Sequence, residues 1–520
     1  MSFWSRRRML GAALGAGGAA LLPWPATAQQ KTSALLRAPR RALVIGNSSY
    51  KVSPLKNPAN DARAMAESLK QIGFDVTLVL DAPRADMLAA ARQYTDALAK
   101  SKPVGLFYFA GHGMQLAWRN YLLPVDAVVD RMDEVQARCL DVNTVIEGIA
   151  RANNPMNLIV LDACRENPFG RDFRVQQKGL SQLDAPAGTF LAYATSPGNV
   201  ASDGAGANGL YTEHLLREMR VPEAKIEDVF KRVRLGVRRT SNGQQVPWES
   251  TSLEDDFWFI PPKELKRLSD EEAEREFKEE SAVWEKAEAA ADAKLIEAYL
   301  SRYPSGRFSE VAQSSLDLLL AQQGERKVEV VAPADNPYSK GYARADVDYK
   351  VGDSYSYRAL DSISSVIQRN YTQTVSRVHG PEVVYNKGGF ITDRLGNPTR
   401  VSGARNIVGN QQFPADFQLG KTWATRFSGE NLSIGRFTIE LTMRITARES
   451  VTVPAGTFDA FRVEGQGVRY GGQNPLQIRS KTWFAPEHCR RFVLRDERRT
   501  GGRGSIQMAE RLELVSFRQS

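Results

Sequence analysis

Residues 104–115 read VGLFYFAGHGMQ, an apolar run ending on a histidine held between two glycines. Residues 157–169 read NLIVLDACRENPF and repeat the plan, with Cys164 where the first run has its histidine. Runs this short, this continuously apolar and this rich in aromatic and branched side chains predict strands buried on both faces, the condition of a parallel sheet. The flanking sequence agrees. RALVIGN (41–47), FDVTLVL (74–80) and GTFLAYAT (188–195) predict further strands. Helices are predicted from Asn57-Pro58, over 84–100, near 142–152, and over 209–219 and 225–239, with DFWFIPP following at 256. Asn57 is the expected N-cap and Pro58 the first helical residue. Ala62, Met65, Ala66, Leu69 and Ile72 fall on one face of that helix. Strands alternating with helices over residues 40–261 make an α/β fold, a mostly parallel sheet covered on both faces.

The fold supplies a geometric argument. Sites on open parallel sheets form outside the carboxyl ends of the strands, and both His112 and Cys164 sit just past such an end. If the two strands are close, an imidazole and a thiol share one edge of the sheet. A free thiol is only a few per cent ionised at neutral pH. A neighbouring histidine favours the thiolate and can later protonate a leaving amine. Gly111 and Gly113 allow a tight turn, and the Gly113 and Cys164 backbone N–H groups are candidates for an oxyanion hole.

A chain of 520 residues exceeds one ordinary core and predicts two or three domains. Its hydrophobic content of 42% and charged content of 25% are those of globular protein. The formal charge of +9 includes Arg6, Arg7 and Arg8 of an apparent leader, and the remainder is spread without a dense basic block. Nucleic acid is therefore not an expected partner. The leader, SRRRMLGAALGAGGAALLPWPATAQQ, has a basic start, an Ala/Gly/Leu middle and a small-x-small end at Ala26-Thr27-Ala28. Residues 1–28 thus read as a bacterial export signal, with Ser5-Arg6-Arg7-Arg8 similar to the twin-arginine type. The expectation is a periplasmic or secreted protein without a transmembrane span in the mature chain. Only Cys139, Cys164 and Cys489 are present, so at least one thiol is unpaired in an oxidising compartment.

Here the residues carry a resemblance. Caspases join an Ala-Cys-Arg-type motif to a histidine about 50 residues upstream, and Ala163-Cys164-Arg165 lies 52 residues after His112. YFAGHGM, NYLLPVD, LDACREN, FLAYATSPG and PWESTSL together resemble the bacterial caspase-like cysteine peptidases, of one clan with caspases, paracaspases and metacaspases. The resemblance covers residues 40–261. It implies about six strands, Cys and His on adjacent parallel strands, and cysteine endopeptidase chemistry. Caspases cut after Asp, whereas metacaspases and paracaspases cut after Arg or Lys using acidic pockets. Asp162, two residues before the cysteine, matches the acid of that second branch; Asp61 in NPANDA and Asp203 in NVASDG are the further S1 candidates. Cys164-Arg165-Glu166-Asn167 is closer to paracaspases than to metacaspases. No cofactor is expected; Asp126, Asp130 and Asp133 are the acids near enough in sequence for calcium, without a clear motif. In related proteases the loop after the nucleophile is often cut, and here it presents Arg171, Arg174 and Lys178 as self-cleavage points.

The remaining histidines and cysteines read as structural. Cys139 precedes a helix and is expected in packing, His214 on a helix surface, and His488 and Cys489 on opposite faces of a strand. Residues 262–322 read as helices resembling one tetratricopeptide-like hairpin, 323–342 as a linker with Pro333 and Pro337, and 343–518 as an antiparallel β-sandwich or barrel of unassigned role. Two function classes follow. The first is an exported cysteine endopeptidase acting on peptides with Arg or Lys at P1; the second is a non-catalytic envelope adaptor with a caspase-like docking domain.

Overall fold

The apolar runs form the strands of one sheet in a computed structural model that describes residues 35–163, 178–201, 204, 206–264, 269–325, 330, 336–472 and 474–520. In chain order the first strands are β1 (Arg40–Gly46), β2 (Phe74–Leu80), β3 (Val104–Ala110), β4 (Gly113–Leu116), β5 (Arg119–Leu122), β6 (Leu140–Asp141), β7 (Met156–Asp162), β8 (Thr189–Tyr193) and β9 (Trp248–Thr251). Six of them make a sheet in the order β2-β1-β3-β7-β8-β9. All neighbours run parallel except β9, which is antiparallel to β8. Every residue of β3 and β7 is buried, whereas β2, at the sheet edge, alternates with exposed positions. Continuous apolar sequence thus marks the centre of the sheet and alternating sequence its margin. β4, β5 and β6 form a small separate sheet beyond the end of β3.

The helices are α1 (Pro58–Gln71), α2 (Arg84–Ser101), α3 (Val142–Ala152), α4 (Leu210–Glu218) and α5 (Ile226–Thr240). α2 packs on α3, while α4 packs on both α1 and α5, which gives the sheet its two covering layers. Pro58 opens α1 as expected. Asn57 takes the N-cap position but in a helical conformation, and its side chain makes no cap hydrogen bond. The cap geometry needs an extended residue there, so the expected capping role is corrected.

Three helices follow rather than a single hairpin: α6 (Asp270–Ala290), α7 (Ala293–Arg302) and α8 (Ser309–Gln322). Ser269 and Glu272 close a reciprocal capping box at the start of α6, and Asp292 caps α7. Their core is aromatic, with Trp284 against Tyr299 and Phe308. α7 packs on α5, and Arg238 of α5 is paired with Asp317 and Glu325. Beyond them Tyr342–Arg344 and Asp416–Gln418 pair separately as two strands, and the described residues build a twelve-stranded antiparallel sheet. Its two edge strands, Pro398–Arg400 and Ala404–Val408, are consecutive in the chain and meet through a Val401–Ala404 bridge. The sheet therefore curls until its two edges meet. Among the described residues no helix is long and apolar enough to cross a membrane.

Candidate active site

β3 and β7 are direct neighbours in parallel register, with Ala110 opposite Asp162. Both strands end at the same height, so the chain after each emerges at one sheet edge. The Gly111 N–H donates to the Asp162 carbonyl at 3.3 Å and extends that pairing by one step. His112 follows immediately and is 3% exposed. Its Nε2 lies 2.7 Å from the Ser53 carbonyl oxygen. A carbonyl only accepts, so Nε2 carries a proton, and Nδ1 is the proton-accepting nitrogen of the neutral ring. Ser53 holds a left-handed backbone (φ 54°), an uncommon conformation for serine.

Tyr50 fixes the other side of the histidine. Its ring lies 4.5 Å from the imidazole, tilted by 58°. Its hydroxyl accepts the His112 N–H at 2.9 Å and donates to the Leu123 carbonyl at 3.1 Å. The Leu123 N–H in turn donates to the His112 carbonyl at 3.0 Å. The phenol therefore stands in for the second hydrogen bond of the His112–Leu123 pair, linking the His112 N–H to the Leu123 carbonyl. Gly111 is required by that bridge, because a Cβ there would lie 2.5 Å from the Tyr50 hydroxyl.

The same pair orients Gly113. Antiparallel pairs alternate between hydrogen-bonded and non-bonded types. His112 opposite Leu123 is the bonded pair, so Gly113 opposite Leu122 is the non-bonded one. The Gly113 N–H is consequently directed away from β5. A side chain at Gly113 would meet the Ala163 carbonyl at 2.9 Å and Leu180 at 3.1 Å, so the backbone at 113 packs directly on the residue that precedes Cys164.

Asp61 and Asp162 converge beside the amino end of α4. Asp61, on the first turn of α1 and 1% exposed, accepts from Asn208 Nδ2 and the Gly209 N–H, both at 2.9 Å. Asp162, 3% exposed, accepts from the Thr212 hydroxyl at 2.8 Å. Thr212 also contacts the Tyr108 hydroxyl at 2.6 Å. Burial first, and then both carboxylates, push the Tyr108 phenol well above its ordinary range. Two buried acids thus act on one phenol next to the end of β7, each held by donors from α4 or the residues just before it.

The remaining expectations fall out as follows. Cys164, Asp203, Arg171 and Arg174 lie outside the described residues. Lys178 is exposed, and its carbonyl accepts from Gln115 Nε2. Asp126 accepts from the Arg84 N–H and Asp133 pairs with Arg131. Among the described residues no group of three or more His, Cys, Asp or Glu is placed to hold a metal ion. Cys139 is buried in packing as expected. His214 departs from expectation, because it is buried between α4 and α5, against Gly236 and within reach of Thr240 and Arg217. His488 and Cys489 occupy a turn rather than a strand, with the histidine exposed and the cysteine buried. Tyr50 and Ser53 escaped the sequence reading. They reach His112 from about 60 positions away through a loop of ordinary composition, and no motif marks them.

Comparison with known proteins bears on this geometry. Residues 39–258 match the family described as the caspase domain. The human mucosa-associated lymphoid tissue lymphoma translocation protein 1 is 28% identical over 237 residues, 44% of this chain and 28% of that protein. Its mouse homolog is 28% identical over 233 residues, 44% of this chain and 27% of that protein. The chain thus spans little more than a quarter of the length of these relatives. An order of strands with His112 and Ala163 at one sheet edge, and a family match over the same residues, lead to one conclusion: residues 39–258 form a caspase domain, similar over that span to the relatives above.

Proposed function

We propose that the protein is an exported cysteine endopeptidase that cleaves after Arg or Lys. The observation that carries the reading is the neighbourhood of Ala163. His112 and the outward Gly113 N–H stand at the edge where β7 delivers the chain to Cys164. In the reaction, the Cys164 thiol gives its proton to Nδ1 of His112 and the thiolate attacks the scissile carbonyl. The Gly113 and Cys164 N–H groups hold the oxyanion. The imidazolium then protonates the departing amine, the thioester forms, and a water deprotonated by His112 releases the acid. Asp61 and Asp162, with Asp203, receive the P1 guanidinium or ammonium. Residues 1–28 act as the twin-arginine-type export signal to the periplasm or beyond, and neither cofactor nor metal takes part.

The dyad is tested by substitution. Cys164→Ala and His112→Ala are each expected to abolish peptide hydrolysis in folded protein, and Cys139→Ala to retain most of it. Hydrolysis at the wild-type rate by Cys164→Ala would sink the dyad, whereas wild type that hydrolyses no peptide would support the adaptor reading instead. Self-processing belongs to the same proposal, because Arg171, Arg174 and Lys178 carry the side chains this pocket accepts. Intact mass should show two fragments in active wild type and one species in Cys164→Ala. Concentrated active enzyme that stays whole would show that it works as a single chain.

A further inference from the structure

We infer that residues 336–340, the stretch just before the first strand of the β-sheet domain, are positioning residues for the active site, a reading that rests on the peptidase assignment above. Residues 178–184 follow Cys164 in the chain, and Leu180 walls Gly113 together with Ala163. The His112 hairpin holds this segment from one side. Gln115 Nε2 donates to the Lys178 carbonyl at 2.8 Å. Asn120 grips Ser181 twice, giving to its carbonyl at 2.9 Å and accepting from its N–H at 2.7 Å.

Residues 336–340 hold it from the other side. Asn336 Nδ2 donates to the Gln182 carbonyl at 2.8 Å and reaches the Ser181 hydroxyl at 3.2 Å. The Asp184 N–H donates to the Tyr338 carbonyl at 3.0 Å. The Asp184 carboxylate accepts from the Ser339 hydroxyl at 2.9 Å and the Lys340 N–H at 2.7 Å. The Tyr338 hydroxyl accepts from Arg119 of β5 at 3.1 Å, so the strap touches hairpin and segment at once. Asn336, Ser181 and Gln182 are all buried. The paired groups, the Asn336 amide together with the Ser181 and Gln182 backbone, stay in place because leaving a buried polar group unpaired is costly.

The strap is also tied to the β-sheet domain. Arg448, on the strand Gly435–Val453, donates to the Lys340 carbonyl at 3.1 Å, and Tyr342 packs edge-on against Trp248 of β9. A path of direct contacts therefore runs from the sheet through Asn336–Lys340 and Leu180 to Gly113. Its role is to set where the oxyanion donor stands. Small misplacements of a catalytic group cost rate steeply, on the order of 100-fold per ångström.

The test uses the full chain and a P1-Arg reporter peptide. Asn336→Ala should lower kcat about tenfold, with KM changed less than about twofold, because a displaced oxyanion donor weakens the transition state more than binding. Tyr338→Phe, which removes one hydroxyl and keeps the ring, should fold and lower kcat by about half that in logarithm, roughly threefold. Arg238→Ala breaks the pairs to Asp317 and Glu325 between the same halves of the chain without touching residues 178–184, and should keep the wild-type kcat. Unchanged kcat in both strap variants, or an equal fall in Arg238→Ala, overturns the strap. Wild type that cleaves no peptide overturns the peptidase reading instead, so the two failures are distinct.

Discussion

The three cysteines show how environment assigns chemistry to one residue type. Burial pushes the thiols of Cys139 and Cys489 up to about 12, which leaves both protonated and unreactive at neutral pH. Cys164 follows Ala163 at the sheet edge that also carries His112, where a thiolate has a use. Iodoacetamide at pH 7 on the folded chain should therefore label Cys164 first and spare the other two, read by peptide mass mapping. Equal labelling of Cys139 would contradict this assignment. The long apolar run before His112 places it at the sheet edge where it is found; Cys164 follows a run of the same kind and lies outside the described residues. Tyr50 was not legible, since its value lies in a hydroxyl inserted between His112 and Leu123, a tertiary event. His214 misled for a related reason: a lone histidine on a helix gives no hint that Gly236 of the next helix has made room for its ring.

At the scale of elements, strands were read more securely than their surroundings. β3 and β7 announce themselves by continuous apolar sequence, and β2 by its alternation. β9 is four residues long inside WESTSL, too short for periodicity to speak, and only the pairing with β8 reveals it. The helical segment read as one hairpin because the polar composition of α6 hides its narrow apolar stripe. That helix also carries an electrostatic load. Burial, followed by the carboxylates of Asp393, Glu285 and Glu382, pushes Glu288 up to about 7. A carboxyl group raised in the folded state holds a proton that the unfolded chain has already released. Stability from Glu288 is therefore fullest below the ordinary glutamate range and is lost as pH rises toward 7. Glu288→Gln should flatten the fall in Tm between pH 5 and pH 8 and leave Tm at pH 5 nearly unchanged. An identical fall in wild type and variant would remove Glu288 as its source.

For the whole molecule, a caspase domain, three helices and a curled twelve-stranded sheet are joined by polar contacts at several points. The shift in composition after residue 261 predicts the end of the α/β domain, and the last strand of its sheet, β9, ends at Thr251. The meeting of the last sheet's two edges was not legible in the sequence, because alternating strands do not reveal which of them lie at the margins. The acidic pair had an intermediate standing. Asp162 is tied to the cysteine by sequence, whereas Asp61 lies a hundred residues earlier and reaches the amino end of α4, where Thr212 holds Asp162, because α1 and α4 pack together. The central claim is that this pair selects a cation for a cysteine nucleophile. The most direct measurement compares initial rates on three peptides that differ only in P1 (Arg, Lys or Asp), using wild type, Cys164→Ala and Asp162→Ala. Loss of a buried carboxylate facing a cation costs about 2–5 kcal/mol, or roughly 30-fold to several thousand-fold in rate. The account predicts cleavage after Arg and Lys but not Asp, none by Cys164→Ala, and a fall of that size in Asp162→Ala. Preference for P1-Asp in wild type, or an undiminished rate in Cys164→Ala, would contradict it.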